Sequence, residues 1–414
     1  MVTEQLTVKS GYKKTEVGII PEEWDIQQVK DSFEICNTLR LPISKNVRKK
    51  MKGSYPYYGP TGVQDHINEY RVDGEYALIG EDGDHFLKWR NQPMTLFVKG
   101  KFNVNNHAHV VKGTKNLTEW FYWYFNNKDI TQHLTKQGAG RLKLSKASLK
   151  KILCFIPPII EQENVSKTLT DIDFLVSHFQ KIVKKKIDMK RATMQYLLTG
   201  QKQLTKTKRN FKKTEFGNIP EDWERRSLIS LSTIQSGGTP STIIKKFWKN
   251  GNIPWINSSK LKDKEIRTPS KYITQIGLEN SAAKIFPKNS TLIALTGATT
   301  GKIGYLSFDC STNQSITAIL PSKLHDSKFL FYQLQLFRKN ILSHAIGSAQ
   351  PHINQKIVEN FQTFLPKLSE QNTISTILSD MDSEIQELEE KRDKYIKIKN
   401  GMMQKLLTGE IRLT

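Results

Sequence analysis

Residues 13–24, KKTEVGIIPEEW, return at 212–223 as KKTEFGNIPEDW. Nine of the twelve positions are identical, at an offset of 199. Two further blocks repeat in the same order. Glu161-Gln162 through Asp171-Ile172-Asp173 returns as Glu370-Gln371 through Asp380-Met381-Asp382. MQYLLTGQKQL at 194–204 returns as MQKLLTGEIRL at 403–413, and both of these matches have an offset of 209. Three ordered matches at nearly constant spacing make the chain a tandem duplication.

The change of offset locates the divergence. Trp120, Phe121, Trp123 and Phe125 align with Phe329, Leu330, Tyr332 and Leu334 at the later offset. The extra residues of the second half therefore lie between the positions matching Trp24 and Trp120. The halves also share least sequence there. A duplicated frame with divergent middles suggests one scaffold presenting two different surfaces.

The frame contains two long helical patterns. Apolar positions run Val165, Leu169, Ile172, Val176, Phe179 and Val183, in alternating steps of four and three. The second copy runs Ile374, Leu378, Met381, Ile385 and Leu388, continuing through Tyr395, Ile398, Met402 and Leu406. This is heptad spacing without an interior proline. Each stretch predicts one helix of about 35 residues, about 50 Å long at ~1.5 Å per residue. A helix with one apolar stripe needs a partner. The other copy is the simplest, giving an intramolecular two-helix coiled coil; two ordinary bundle helices are the alternative. Pro157-Pro158 and Pro366 mark the breaks before the helices.

The middles read as mixed α/β and strand-rich. YALIG (76–80), MTLFVKG (94–100) and HAHVVKG (107–113) alternate with Gly and Asn turns, as do STLIALTG (290–297), KIGYLSF (302–308) and QSITAILP (314–321). A helix is expected to close each middle, around 117–134 and 328–345. The aromatic run EWFYWYF at 119–125 could stack bases, but core packing is the better reading.

Composition narrows the function. The 414 residues carry 63 Lys+Arg against 40 Asp+Glu, a formal charge of +23. Such an excess points to a polyanionic partner, most simply nucleic acid. Cys36, Cys154 and Cys310 are widely separated and form no CxxC pair, so a zinc site or disulfide framework is not expected. No apolar run approaches the ~18 residues of a membrane span, and the first residues lack a signal-peptide core. A cytoplasmic protein is expected.

A search for catalytic chemistry mostly fails. GATTGK at 297–302 has three residues between its glycines and Ile303 after the lysine, so it is no Walker A loop. A tight inter-strand loop is expected instead, offering Lys302 to a DNA phosphate. No GxGxxG follows a strand, and no Asn-Pro-Pro-aromatic or Asp-Pro-Pro-aromatic motif occurs. Asp188-Met189-Lys190 has nuclease-like spacing but falls on a long helix. Glu81-Asp82-Gly83-Asp84 could hold a metal, form a turn, or accept from cytosine amino groups. His107 and His109 share a strand face but lack a nearby third ligand.

Loops in equivalent slots fit DNA recognition better. Gly80-Glu81-Asp82-Gly83 follows YALI, and Ala294–Gly304 follows STLI. Asn105-Asn106-His107 corresponds to Asn313-Gln314-Ser315. Asn and Gln suit adenine, while Lys and Arg suit guanine or phosphate. Candidate DNA-contacting residues in the first half are Tyr57, Tyr58, Glu81, Asp82, Lys88, Arg90, Asn105, Asn106, His107, Arg141 and Lys143. In the second half they are Thr239, Ser241, Asn257, Ser258, Lys260, Thr299, Thr300, Lys302, Asn313, Gln314, Gln350 and His352.

These features together resemble a type I restriction–modification specificity subunit (HsdS). The resemblance is carried by IPEEW/IPEDW, by SGGTPS at 236–241 and by IPWI at 253–256. TGATTGKIG at 296–304, YPYYGPTG at 55–62, the Pro…Glu-Gln lead-in to each long helix and the closing LLTG motifs also carry it. It covers essentially the whole chain. It implies an α/β (α+β) architecture with target-recognition domains at 1–155 and 206–364. Long spacer helices at 156–205 and 365–414 would pack as an antiparallel coiled coil. It further implies a non-catalytic subunit of a bacterial or archaeal cytoplasm that reads two half-sites of double-stranded DNA around an unread spacer. Two methyltransferase subunits and two restriction–translocase subunits would act on that site. S-adenosylmethionine, ATP and Mg2+ would be used by those partners, with no cofactor or metal held by this chain. The second helix departs from the family's proline pair, since Lys367 follows Pro366. That leaves its entry angle open. A specificity subunit of another methyltransferase system, a modifying enzyme with an unrecognised site, and a coiled-coil adaptor that binds only protein are the alternatives.

Overall fold

The computed structural model describes residues 9–90, 92–126, 128–137, 140–201, 209–345 and 352–414. It separates into two compact units: Met1–Gln180 with Lys391–Thr414, and Lys181–Glu390. Each unit therefore draws on both long helices.

The first unit is built on β1 (Phe33–Ile35), β2 (Lys52–Gly59), β3 (Val72–Gly80), β4 (Thr95–Val104) and β5 (Ala108–Gly113). The sheet order is β1-β5-β3-β4-β2, with Gly62–Ile67 outermost. Helix α1 spans Thr118–Asn126, and the first long helix, α2, spans Ile159–Leu198. Strand β3 is apolar on both faces, and alternation sends its side chains to two cores. Ala77 and Ile79 face the aromatics of α1, while Leu78 packs with Phe102, Val104 and Val110.

The second unit repeats this plan. Its strands include β6 (Ile234–Ser236), β7 (Ile253–Ile256), β8 (Thr291–Ala294), β9 (Ile303–Leu306), β10 (Cys310–Thr312) and β11 (Ile316–Ile319). Helices α3 (Ser327–Leu336) and α4 (Leu368–Leu406) follow. The order β6-β11-β8-β9 matches β1-β5-β3-β4. The long strand β4 pairs antiparallel with β3 and ends parallel to β2. In the second unit this strand is split: β9 pairs antiparallel with β8, and β10 runs parallel to β7.

The aromatic run is core. Trp120, Phe121, Trp123 and Phe125 are buried, and Trp120 meets Trp24 edge-on at 5.8 Å. Burying such rings against each other is worth more than exposing them. The closing helices are shorter than expected. The first ends at Asn126, before a 3-10 turn at Thr131–His133, and the second is interrupted at Phe337.

Within each unit the long helices run antiparallel. In the first, Lys399 pairs with Asp173, and the Phe179 and Tyr395 rings stack at 5.3 Å. In the second, Lys190 pairs with Asp382 and Lys186 with Glu384. The apolar stripe serves two purposes. Val165, Leu169, Ile374 and Leu378 belong to the domain cores. Ile172, Val176, Val183 and Ile385 are buried further along, while Phe179, Met381 and Leu388 are half-buried. Lys190, part of the nuclease-like triplet, is thus a helix-pairing residue.

The repeated motifs form repeated joints. Gln162 Nε2 donates to Pro157 O and Gln371 Nε2 to Pro366 O, both at 2.8 Å. Their Oε1 atoms accept from the backbone N–H of Leu117 and Asp326. The Pro…Glu-Gln lead-in therefore fixes each helix start identically, and Lys367 leaves the joint intact. At the far end, Leu406 and Leu407 pack in the core of Trp24, whereas Leu197 and Leu198 pack in that of Trp223. Gly409 (φ +74°) and Gly200 (φ +68°) follow, and a Cβ at either would collide with Pro21 or Pro220. Arg412 then reaches Glu161 (2.7 Å) and Glu23 (2.7 Å), just as Arg209 reaches Glu370 (2.5 Å) and Asp222 (3.3 Å).

Burial pushes the Cys154 and Cys310 thiols up to about 12 and Cys36 to about 11. All three stay protonated and behave as small apolar groups. Among the described residues no helix is long and apolar enough to cross a membrane.

Candidate nucleic-acid interface

Strand register brings the divergent loops to one edge of each unit. In the first unit, Gly80 pairs with Ala108, so the loops after β3 and before β5 meet. Glu81 N–H donates to His107 O at 2.7 Å, and Asn105 N–H donates to Tyr58 O at 3.0 Å. In the second, Ala294 pairs with Ile316 and Ser236 with Thr317. Leu295 N–H reaches Ser315 O (2.8 Å), Asn313 N–H reaches Ile256 O (3.0 Å), and Gly238 N–H reaches Thr312 O (2.9 Å). The topologically equivalent slots named from the sequence are thus equivalent in the fold.

The first edge is charged and interlocked. Glu81 accepts from Arg40 Nη1 at 2.5 Å and lies 3.3 Å from Lys143 Nζ. Burial alone would raise the Glu81 pKa; Arg40 and Lys143 outweigh it and hold the carboxyl below its usual range. Asp82 bridges His107 Nδ1 (2.9 Å) and Arg141 Nη2 (2.6 Å). Arg40 also donates to Asn106 O. His109 is fully buried between Asn37 Nδ2 (2.9 Å) and Leu144 O (2.8 Å), and burial lowers its pKa. Its Nε2 carries the proton and its Nδ1 accepts from Asn37, so both nitrogens are engaged and neither is open to a metal.

These contacts correct several expectations. Glu81 is paired with Arg40 and Lys143, and Asp82 with Arg141 and the His107 ring, so these carboxylates also orient their neighbours on this edge. Tyr57 is not a surface residue. It is fully buried, with its hydroxyl between Leu41 O (2.7 Å) and Ile43 N–H (3.0 Å). Tyr58 is half-buried edge-on to Phe102. Asn105 is buried, holding His107 N–H and Gln64. Exposed on this unit are Asn106, Arg141, Lys88 and Arg90, the last lying over Trp89.

The second edge is rich in amides and hydroxyls. Thr239 Oγ1 donates to Gln314 Oε1 at 2.5 Å, and Thr296 Oγ1 donates to Ser315 Oγ at 2.9 Å. Asn257 Oδ1 accepts from Ser259 Oγ, and Lys260 Nζ reaches Thr268 Oγ1. Ser241, Thr299, Thr300, Ser258 and Asn313 stand on the same set of loops. Ile353 N–H binds Leu295 O, placing exposed His352 beside them. Gln350 lies outside the described residues. Lys302 is not a free phosphate ligand: its Nζ is 2.9 Å from Asp263 Oδ2. Arg338 binds the other oxygen of that carboxylate and donates to Gly301 O. Burial would raise the Asp263 pKa, but Lys302, the Ile303 N–H and Arg338 hold it low. Lys302 therefore closes the glycine loop from within. Sequence reading missed Arg40, Asp263 and Arg338, because their partners lie dozens of residues away.

The same scaffold is used twice, with a charged edge in one copy and an amide–hydroxyl edge in the other. The chain belongs to the type I restriction modification DNA specificity family, whose domain matches residues 21–181 and again 220–398. This is a family of non-catalytic specificity subunits. The chain is 25% identical over 432 residues to the MjaVIII type I restriction enzyme specificity subunit of Methanocaldococcus jannaschii, covering 100% of this chain and 99% of the relative. It is 23% identical over 335 residues to the EcoR124I/EcoR124II specificity subunit of Escherichia coli, covering 78% of each. The crystal structure of the type I restriction–modification S subunit from M. genitalium shares the fold, with a TM-score of 0.67 at 11% identity over 92% of this chain and 96% of that one.

Proposed function

We propose that this chain reads a bipartite sequence in double-stranded DNA and directs partner subunits to methylate adenine or cleave the DNA. Each unit reads one short half-site through the loops at its sheet edge. The observation that carries this reading is the pairing of equivalent loop slots with unlike chemistry. Arg141, oriented by Asp82, presents guanidinium donors suited to guanine. The Thr239–Gln314 and Asn257 groups suit adenine and its neighbours. The excess of 23 positive charges supports a salt-dependent, sequence-independent attraction beneath this readout. Two methyltransferase subunits using S-adenosylmethionine, and two ATP- and Mg2+-dependent restriction–translocase subunits, supply the chemistry.

The helix pair sets the distance between half-sites in this scheme. Removing one heptad from each helix shortens it by about 10 Å, or about three base pairs. The test is a genome-wide map of methylated adenine with and without the chain. Loss of one split motif with a fixed gap is expected. A map that does not change in a methylating host would refute the reading.

A further inference from the structure

We propose that each unit also carries a lysine clamp for the DNA sugar–phosphate backbone beside its base-reading edge. In the second unit it consists of Lys245, Lys249 and Lys271 around Trp248 and Tyr272. In the first it consists of Lys45, Lys49 and Lys50. The proposal rests on the DNA-reading function above and deepens it.

Topology is the first argument. A single helical turn, Lys45–Arg48, precedes β2, and a 3-10 turn, Lys245–Phe247, precedes β7. These are equivalent strands, each running parallel to its neighbour β4 or β10. The sequences KNVRKK and KKFWK are unlike, yet both place lysines in the same slot. Each turn is anchored by one or two inward side chains. Arg48 lies over the Tyr57 ring at 4.7 Å and pairs with Asp65, while Phe247 is buried and Trp248 packs edge-on to Trp255 at 5.1 Å. The lysines are left pointing outward and exposed.

Charge is the second argument. Several lysines of the second unit are tied to acids, including Lys186, Lys190, Lys264 and Lys302. Among the described residues, none of the six clamp lysines has an ion-pair partner. Those of the second unit border a groove of about 700 Å³, running along Trp248, Asn250 and Tyr272, with no acidic residue among the described residues that line it. Lys271 lies 5.5 Å from the Trp248 ring, so the wall between the cations is aromatic and stiff.

Position is the third argument. Trp248 Nε1 donates to Ser241 O, and Trp255 Nε1 donates to Gly238 O. Gly238 and Ser241 flank Thr239, which bonds Gln314 on the reading edge. The groove is therefore continuous with the base-reading loops. Lysine presents a point charge without the planar fork that reads base edges, so these groups suit phosphate oxygens.

The test uses the full chain with its methyltransferase partner and duplexes with and without the methylated motif. Affinity is measured across a salt series for wild type, for Lys245→Gln/Lys249→Gln/Lys271→Gln, and for Lys288→Gln/Lys323→Gln at the opposite end of the sheet. The clamp variant should make the slope of log K against log salt less negative by about two to three, at ~0.9 per lost phosphate contact. Its affinity should fall by the same factor on both duplexes, with the methylated motif unchanged. A slope equal to wild type, or a change per charge no larger than in the control, overturns the clamp alone. A clamp variant that changes the motif also overturns it, because the lysines would then be reading bases. Wild type that shows no preference for the motif overturns the underlying function.

Discussion

Replacing Glu161 by Ala tests the joint that closes the first unit. The Glu161 carboxylate is buried and accepts three bonds, from Trp24 Nε1 (2.9 Å), Arg412 Nε (2.7 Å) and Arg412 Nη2 (2.9 Å). The substitution leaves the Trp24 N–H unpaired beneath the core and strands a guanidinium. Breaking a buried ion pair from one side costs about 3–5 kcal/mol. Arg412 is 22% exposed and keeps Glu23, so water and that second carboxylate recover part of the loss. About 3 kcal/mol is therefore expected from the first unit. For a unit of this size that corresponds to a fall of roughly 6–12 °C in its melting transition. Calorimetry of Glu161→Ala, Arg412→Ala and the double variant measures both the loss and the coupling. The second unit should melt unchanged. A loss below about 1 kcal/mol in Glu161→Ala, or additive single losses, would refute the argument that this joint holds the end of the second helix onto the first domain.

Other outcomes follow from the edges. Asp82→Asn keeps one acceptor for Arg141 but turns an N–H₂ toward His107; methylome mapping should show base discrimination about tenfold weaker within one half-site of the motif, about 1.4 kcal/mol, with the other half-site unchanged. Arg338→Ala frees Asp263 and the Gly301 carbonyl, so the second unit should lose about 1–2 kcal/mol in urea melts, and Lys should not restore both contacts. His85 and His109 are held neutral by burial, with pKa values below the ordinary one. In the unfolded chain they bind protons near pH 6.5, so stability is complete above that pH and falls as the solution is acidified toward the folded values. The slope is at most about 1.4 kcal/mol per pH unit for each group, and His109→Gln should flatten it in acid titration melts.

What could be read from the sequence was local. The Pro-to-Gln bond closes within five residues, and the heptad steps and LLTG closures recur in both halves, so they were visible as motifs. The loop slots were visible too, because equivalent strands flank them. The misreadings arose where a partner is distant in the chain. Lys302 looked free because Asp263, beside Ile303 in the fold, is 39 residues away in the chain. The pairing of Glu81 with Arg40 was hidden because the two residues lie 41 positions apart in the chain. Tyr57 looked like a surface aromatic in a turn-rich stretch, but it occupies the inward phase of β2, where its ring is covered and its hydroxyl is spent on the backbone. Strand phase next to an irregular turn cannot be counted from the sequence, and β2 does change register there.

The first unit includes residues 391–414, whereas the second is continuous from 181 to 390. This imposes an order on biosynthesis. At about 5–20 residues per second, the ribosome needs roughly 10–40 s after Gln180 before it begins the segment that covers Trp24. Through that interval the apolar ring of Trp24, Val165 and Leu169 lacks Met403, Leu406 and Leu407. The domain translated first is thus the last to be sealed, and its exposed core is a natural client for a chaperone until the second helix folds back onto it.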